Sequence, residues 1–268
     1  RVLTTGSFNI AIGQVALANS TTDNHNIAIG RAAMQASTSG SANIAIGTDT
    51  LEATSATGNV AIGYRAAIGA SQSGNYNTII GYEAAQALDN GEQNEIIGGQ
   101  AGFSLTNGSS NTIVGYQAMY ANSIGSACVA IGWRALHSDP SPEESVAVGH
   151  QALYNQTSGR NTAVGFHTLQ DLTSGNYNTA VGGEALENIT TGSGNIGLGA
   201  FAGRAETTGA SSIFIGQEAG KTINNANVAS GENVIIGHAA AINRTGGTEN
   251  VLIGSLVNYI GVGTGSNN

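Results

Sequence analysis

The 268-residue sequence is poor in cysteine, proline and charge, and each shortage excludes a class of protein. A single cysteine excludes a disulfide framework and a zinc site built on cysteines. Two prolines exclude collagen, which needs a proline-rich G-X-Y repeat. Charged residues make up 9% of the chain, against roughly 25% in an ordinary soluble domain. Hydrophobic residues still make up 40%, which argues against simple disorder.

Two further absences concern partners. The sequence has no apolar run of about 18 or more residues, so we expect no insertion into a membrane. Its eight basic residues are outnumbered by seventeen acidic ones, and the net charge of −9 disfavours nucleic acid as a partner.

Glycine is abundant, with 40 residues, and one glycine recurs at an almost constant spacing. The motif is asparagine (or another small residue in three copies), any residue, two mostly apolar residues and glycine, and it occurs 15 times. Ten of the 14 spacings are 17 residues, two are 16, one is 18 and one is 21. The recurring glycines are Gly13, Gly30, Gly47, Gly63, Gly81, Gly98, Gly115, Gly132, Gly149, Gly165, Gly182, Gly199, Gly216, Gly237 and Gly254.

Other places in the repeat are nearly as regular. Asparagine stands four residues before the glycine in 12 of 15 copies, and Cys128, Ser145 and Ser212 replace it in the others. The residue before the glycine is always Ile, Val or Leu, and the residue three places after it is Ala in 12 copies. A loop rich in Thr, Ser and Gly follows and absorbs the changes in length, as surface turns do.

This pattern predicts an all-β fold, a parallel β-solenoid (β-roll or β-helix) of about 15 coils. Seventeen residues are too few for a helical repeat, and the β-branched segment is typical of a short strand. In such a stack we expect the asparagines to form a ladder of side-chain amides, including Asn9, Asn26, Asn43, Asn161 and Asn178. We expect the glycines, including Gly13, Gly30, Gly47, Gly165 and Gly182, to have a positive φ or to contact another backbone closely.

We interpret residues 1–268 as a single repeat domain and a fragment of a longer fibre. Two segments depart from the repeat and predict protruding loops: residues 137–144, which contain both prolines, and residues 221–232, which carry the insertion behind the 21-residue spacing. Because the coil is thin, we expect a parallel homotrimer in which the small Ala column lets the chains approach closely. A monomeric left-handed β-helix of hexapeptides remains an alternative, although only one hexad in three fits.

The repeat resembles those of two families of attachment protein. The segment Gly58–Gly63, Gly-Asn-Val-Ala-Ile-Gly, resembles the head repeats of YadA-like trimeric autotransporter adhesins. The longer unit that starts at Asn161–Gly165 is similar to phage tail-fibre shafts, and the 17-residue period favours these over the YadA-like repeat, which is typically shorter. The resemblance covers nearly the whole chain. It implies a trimeric, surface-exposed adhesive or spacer element, and it carries over no catalytic residue.

Three patterns could suggest a catalytic or metal site. Gly192–Gly197 matches G-x-G-x-x-G, but no helix pattern follows it, so we assign it to the repeat. His150 and His167 occupy different places in adjacent coils, so we expect their rings to point apart rather than share a metal. Glu184 and Glu218, two coils apart, would need a cleft to act as a glycosidase pair. We therefore expect no enzyme activity, cofactor or metal.

An aromatic stripe is a candidate binding surface, but we expect its rings mainly to pack. Its members directly follow the recurring glycine, and a stack of such rings could bind sugars, although packing is the commoner role of aromatic residues. The candidates are Tyr64, Tyr82, Tyr116 and Trp133, and His150 and Phe166 continue the stripe.

Together with the repeat, the resemblance implies an extracellular fibre segment that attaches to a host surface receptor such as a polysaccharide. The phage tail-fibre type is favoured, and the head of a bacterial trimeric autotransporter adhesin is the alternative. A chaperone peptidase domain in the full-length gene would favour the virion tail, whereas a membrane anchor would favour the bacterial surface. A hexapeptide-type acyltransferase remains a remote alternative.

Overall fold

The computed structural model describes residues 6–69, 73–157, 159–221, 231–241 and 248–257. The chain divides into two compact units, residues 1–133 and 134–268. Within the described ranges all regular structure is β, and no helix is long and apolar enough to cross a membrane. Most of the loop predicted at 221–232 lies outside the described residues.

Each unit contains a row of three-residue strands, one from each coil. The first unit contains β1 (Ile10–Ile12), β2 (Ile27–Ile29), β3 (Ile44–Ile46), β4 (Val60–Ile62), β5 (Thr78–Ile80), β6 (Glu95–Ile97), β7 (Thr112–Val114) and β8 (Val129–Ile131). The second contains β9 (Val146–Val148), β10 (Thr162–Val164), β11 (Thr179–Val181), β12 (Ile196–Leu198), β13 (Ile213–Ile215), β14 (Val234–Ile236) and β15 (Val251–Ile253).

Within each unit the strands form a parallel sheet in which every coil pairs with the next. Equivalent residues lie opposite one another, as Ile27 does with Ile44. The same register holds where the spacing is 16, 18 or 21 residues, so changes in length are confined to the loops. The predicted parallel β-solenoid is therefore confirmed.

The recurring glycine ends each strand in a backbone conformation that other residues rarely adopt. Its φ lies between +124° and +146° in all 15 copies. At Gly165 an added Cβ would lie 2.6 Å from the carbonyl oxygen of Gly182 in the next coil. The Gly165 amide also donates a hydrogen bond to the Val148 carbonyl of the preceding coil, at 2.7 Å. Both reasons for glycine, positive φ and close backbone approach, thus hold at this position.

After the glycine the backbone alternates in handedness. Non-glycine residues two places after it have φ between +51° and +61°, and most residues four places after it are also left-handed. The amide of Glu184, two places after Gly182, donates to the preceding coil at Phe166. The amide of Leu186, four places after, donates to the following coil at Ala202. Each such conformation costs about 1–3 kcal/mol in isolation, and here hydrogen bonds to both neighbouring coils offset it.

The Ala column lies inside the solenoid. Ala33, Ala66, Ala84 and Ala118 are fully buried within their own chain. The expectation that this column lets separate chains approach is therefore wrong, because the alternating backbone turns the residues three and four places after the glycine inward. The small size of the alanines instead leaves room inside the coil for the larger buried side chains.

Interior volume is balanced between the strand and the segment that faces it. Several coils with a small strand centre carry a large residue four places after the glycine, as in Ala28 with Met34. Large centres lie against glycines: Ile96 faces Gly102, and the Phe214 ring occupies the space over Gly203 of the preceding coil, whereas Ile113 is accompanied by the large Met119. This compensation keeps the core filled although single positions vary, as close packing requires.

The asparagine column forms a buried ladder that links each coil to the next. Asn26 Oδ1 accepts a hydrogen bond from the Asn43 amide at 2.8 Å, and Asn26 Nδ2 donates to the Gly40 carbonyl at 2.8 Å. Ser145 substitutes in both roles: its Oγ donates to the Gly159 carbonyl and accepts from the Asn161 amide. The ladder satisfies loop carbonyls that would otherwise be buried without a partner.

Replacement of Gly165 by valine tests the glycine column. A β-branched residue at φ +141° that also meets the Gly182 carbonyl should destabilise the fold by a few kcal/mol. The control is Ser174→Ala in a variable loop, which should change the free energy of unfolding by less than about 0.5 kcal/mol. Thermal denaturation measures both. Equal melting temperatures for Gly165→Val and the parent would contradict the steric role of the glycine.

Candidate functional site

The aromatic residues that follow the recurring glycine form an exposed column, called here the aromatic column. In the first unit it contains Tyr64, Tyr82, Tyr116 and Trp133, and all four rings are substantially exposed. The rings of Tyr64 and Tyr82 stack with centroids 5.5 Å apart and planes inclined by 16°. In the second unit His150 and Phe166 stack at 5.3 Å. Within each unit the 17-residue register therefore arranges sequence-distant rings as rungs of a surface ladder.

The residue two places after the glycine forms a second column, called here the polar column, directly beside the aromatic column. The rings of Phe166 and His167, adjacent in sequence, stack at 3.7 Å, and His150 and His167 lie 5.4 Å apart. The expectation that these two histidines point apart is wrong. It assumed the alternation of an extended strand, whereas the left-handed φ of +52° at His167 places consecutive side chains on the same side.

Acidic members of the polar column are paired with cations. Glu184 lies 3.1 Å from Arg204 Nε, and Glu218 lies 3.1 Å from Lys221 Nζ. Both cations also lie over the Phe201 ring, at 5.6 Å for Arg204 Cζ and 4.8 Å for Lys221 Nζ. The two carboxylates proposed as a possible acid–base pair are thus separate members of a surface ion-pair network. In the described part of the chain, no group of three or more His, Cys, Asp or Glu residues could hold a metal.

A second set of ring pairs, five places after the glycine, escaped the sequence analysis. Phe103 stacks on Tyr120 at 5.0 Å, and His137 stacks on Tyr154 at 4.9 Å. Burial lowers the pKa of His137 below its usual value, with a further contribution from the charge of Arg134. The 17-residue separation within each pair was the available signal, because residues at that spacing share a column.

The proline-containing segment 137–144 surrounds a buried polar network. Asp139 is fully buried, and its carboxylate accepts hydrogen bonds from Gln156 Nε2 at 2.8 Å and from the Ser141 amide at 3.0 Å. Gln156 Oε1 in turn accepts from Asn161 Nδ2 at 3.0 Å. Burial raises the pKa of the Asp139 carboxyl, and its two hydrogen bonds offset part of that rise.

A cleft of about 330 Å³ lies at the outer end of this segment. It occurs where the coil before Gly165 is one residue short, and Glu143, Arg160, Asn176 and Tyr177 contribute to its walls. Arg160 Nη2 is held by Glu143 Oε2 at 3.0 Å. Arg160 lacks the positive φ found in the other residues that precede the ladder position, so the shortened loop changes the local backbone.

No protein-family model matches the chain, and no curated protein matches it significantly. Its function must therefore be inferred from its own columns. Gly192–Gly197 leads directly into strand β12 and not into a helix, as expected for a segment of the repeat. The aromatic and polar columns together place partly exposed rings beside amides and carboxylates, a combination that ligand-binding surfaces use.

Titration of Asp139 predicts a specific pH dependence of stability. The pKa of the Asp139 carboxyl is higher in the folded state than in the unfolded state. Its contribution to the free energy of unfolding is therefore fully present below the pKa of the unfolded state, and it is lost as the pH rises through the pKa of the folded state. The double variant Asp139→Leu/Gln156→Leu places leucine at both positions, as Leu88 and Leu105 do at the same place in other coils. It has no carboxyl there, so it does not lose stability in this way as the pH rises. Its stability relative to the parent should increase between pH 4 and pH 7 in urea unfolding. A difference that does not change with pH would contradict the assignment.

Proposed function

We propose that this chain is a segment of an extracellular, trimeric attachment fibre of the phage tail-fibre type, acting by binding and spacing rather than by catalysis. The observation that carries the proposal is an outward-facing column of aliphatic residues. It consists of the last residue of each strand, directly before the recurring glycine, and is called here the outer apolar column. It contains only Ile, Val or Leu, yet Ile97 and Val181 are each 41% exposed.

The neighbouring column on the same sheet face supports a partner for this surface. The first residue of each strand also points outward, and there the repeat accepts Thr78, Thr112, Thr179 and even Glu95. An exposed strand position in this fold therefore tolerates polar residues. The outer apolar column nevertheless contains no polar residue, as expected for a surface that contacts another copy of the chain.

A parallel trimer would give this surface a simple role. Three chains in register would repeat each column three times around the fibre, so weak binding of a host polysaccharide would be strengthened by multivalency. Each coil would add about 4.8 Å of length to the spacer. No cofactor enters this function.

Association is tested by charge placed in the two outward columns. The parent should sediment as a trimer. The double variant Ile97→Glu/Val181→Glu should sediment as a monomer or dissociate at a concentration at least tenfold higher, because it buries unpaired carboxylates. The control Thr112→Glu/Thr179→Glu places the same charges in the neighbouring column and should remain trimeric. A monomeric parent, or equal dissociation of both variants, would contradict the proposed interface.

Attachment is tested on intact bacteria. Fluorescently labelled parent chain should bind cells of at least one strain in a panel, and periodate oxidation of the cell surface should abolish that binding by destroying vicinal diols of polysaccharides. The Ile97→Glu/Val181→Glu variant should bind at least tenfold more weakly, since it loses multivalency. Binding that survives periodate but not protease treatment would identify a protein receptor and contradict the polysaccharide assignment.

A further inference from the structure

We propose that Gly99 opens a slot in the aromatic column that takes one pyranose ring of a neutral polysaccharide between Tyr82 and Tyr116. The inference deepens the proposed function and rests on it, since it assigns the receptor chemistry to one place on the chain. The four aromatic members of the first unit are not consecutive rungs: Gly99 holds the rung between Tyr82 and Tyr116.

The spacing of the column suits one inserted ring. Tyr64 and Tyr82, on successive coils, stack at 5.5 Å. Tyr82 and Tyr116 are separated by two coil repeats, or about 10 Å at the usual strand spacing. A ring placed midway would lie about 5 Å from each tyrosine, within the roughly 4.5–7 Å range of ring stacking. Tyr82 is also more exposed than Tyr64, at 55% against 45%.

Glycine is not required at position 99 by the fold. Its φ lies outside the left-handed region, and an added Cβ would meet only the Tyr116 ring, at 3.4 Å from Cδ2, which is ordinary contact. The preceding Gly98 is the opposite case, with φ +140° and a backbone carbonyl in the way of any Cβ. Neither backbone strain nor close packing accounts for the missing side chain at Gly99. The rung between Tyr82 and Tyr116 therefore carries no side chain of its own.

Polar groups beside the slot match the hydroxyls of a sugar. In the adjacent polar column, Gln100 Nε2 donates to Glu83 Oε2 at 3.1 Å, and Gln117 Nε2 donates to Gln100 Oε1 at 2.9 Å. Amides and a carboxylate that border an aromatic platform supply both donors and acceptors. Glu83 itself is paired with Arg65, at 3.7 Å between Oε1 and Nη1. The net charge of −9 of the chain disfavours an acidic sugar and favours a neutral one.

The test places a tyrosine, the commonest residue of the aromatic column, at position 99. Gly99→Tyr should continue the ladder from Tyr82 to Tyr116 without disturbing the fold, which circular dichroism and the melting temperature verify. Thr48→Tyr, at the same place in an earlier coil, is the matched control because it adds a tyrosine outside the slot. Binding of cellohexaose, maltohexaose and the hexamer of N-acetylglucosamine is titrated by saturation-transfer difference NMR.

The parent should bind at least one of these oligosaccharides saturably. Gly99→Tyr should weaken that binding at least tenfold, and Thr48→Tyr should leave it unchanged. Absence of saturable binding by the parent, or equal binding by Gly99→Tyr, overturns the slot. If Gly99→Tyr does not fold, the variants Tyr82→Ala and Tyr116→Ala replace it, and both should lose binding. The control Tyr177→Ala removes an exposed ring elsewhere and should retain binding. Any other pattern overturns the proposal.

Failure of the slot is distinguishable from failure of the proposed fibre. A monomeric parent whose sugar binding is lost in Gly99→Tyr refutes the trimer and supports the slot. A trimeric parent that attaches to cells equally well with Gly99→Tyr supports the fibre and overturns the slot.

Discussion

The contact between the recurring glycine and the backbone of the next coil is the constraint on which the rest of the structure depends. At Gly165 the chain turns out of its strand at φ +141°, with the Gly182 carbonyl where a side chain would stand. This close approach fixes the register between coils. Once the register is fixed, every residue of one copy lies beside its equivalent in the next, and columns of like side chains follow. Changes in length must then fall in the loops, as they do around the shortened coil before Gly165.

The left-handed positions after the glycine decide what the columns can do. They direct backbone amides toward both neighbouring coils, and they turn consecutive side chains to one side. Phe166 and His167 are therefore partners at 3.7 Å although they are neighbours in sequence. The same geometry places amides and carboxylates beside exposed aromatic rings along the chain. One backbone pattern thus provides both the hydrogen bonds between coils and the exposed aromatic and polar columns.

Buried and outward-facing side chains of the solenoid are subject to different constraints. Inside, the asparagine ladder and the exchange of volume between strand and facing segment, as in Ile96 with Gly102, keep buried polar groups paired and the core full. Outside, the first residue of a strand varies between aliphatic, Thr and Glu, whereas the last remains aliphatic. This contrast within a three-residue strand is the physical basis for the proposed association of chains.

The repeat alone predicts the solenoid class, the positions of the strands and the requirement for glycine at the end of each strand. The strict spacing and the β-branched segments are properties of the chain itself and do not depend on tertiary contacts. It could not reveal the positive φ at Glu184 and Leu186, since these residue types rarely adopt it. For that reason the sequence predicts the Ala column at an interface instead of in the core, and predicts that His150 and His167 point apart. The inward and outward faces, the ring stacks and the vacant rung at Gly99 depend on hydrogen bonds between coils. Only the tertiary structure decides them.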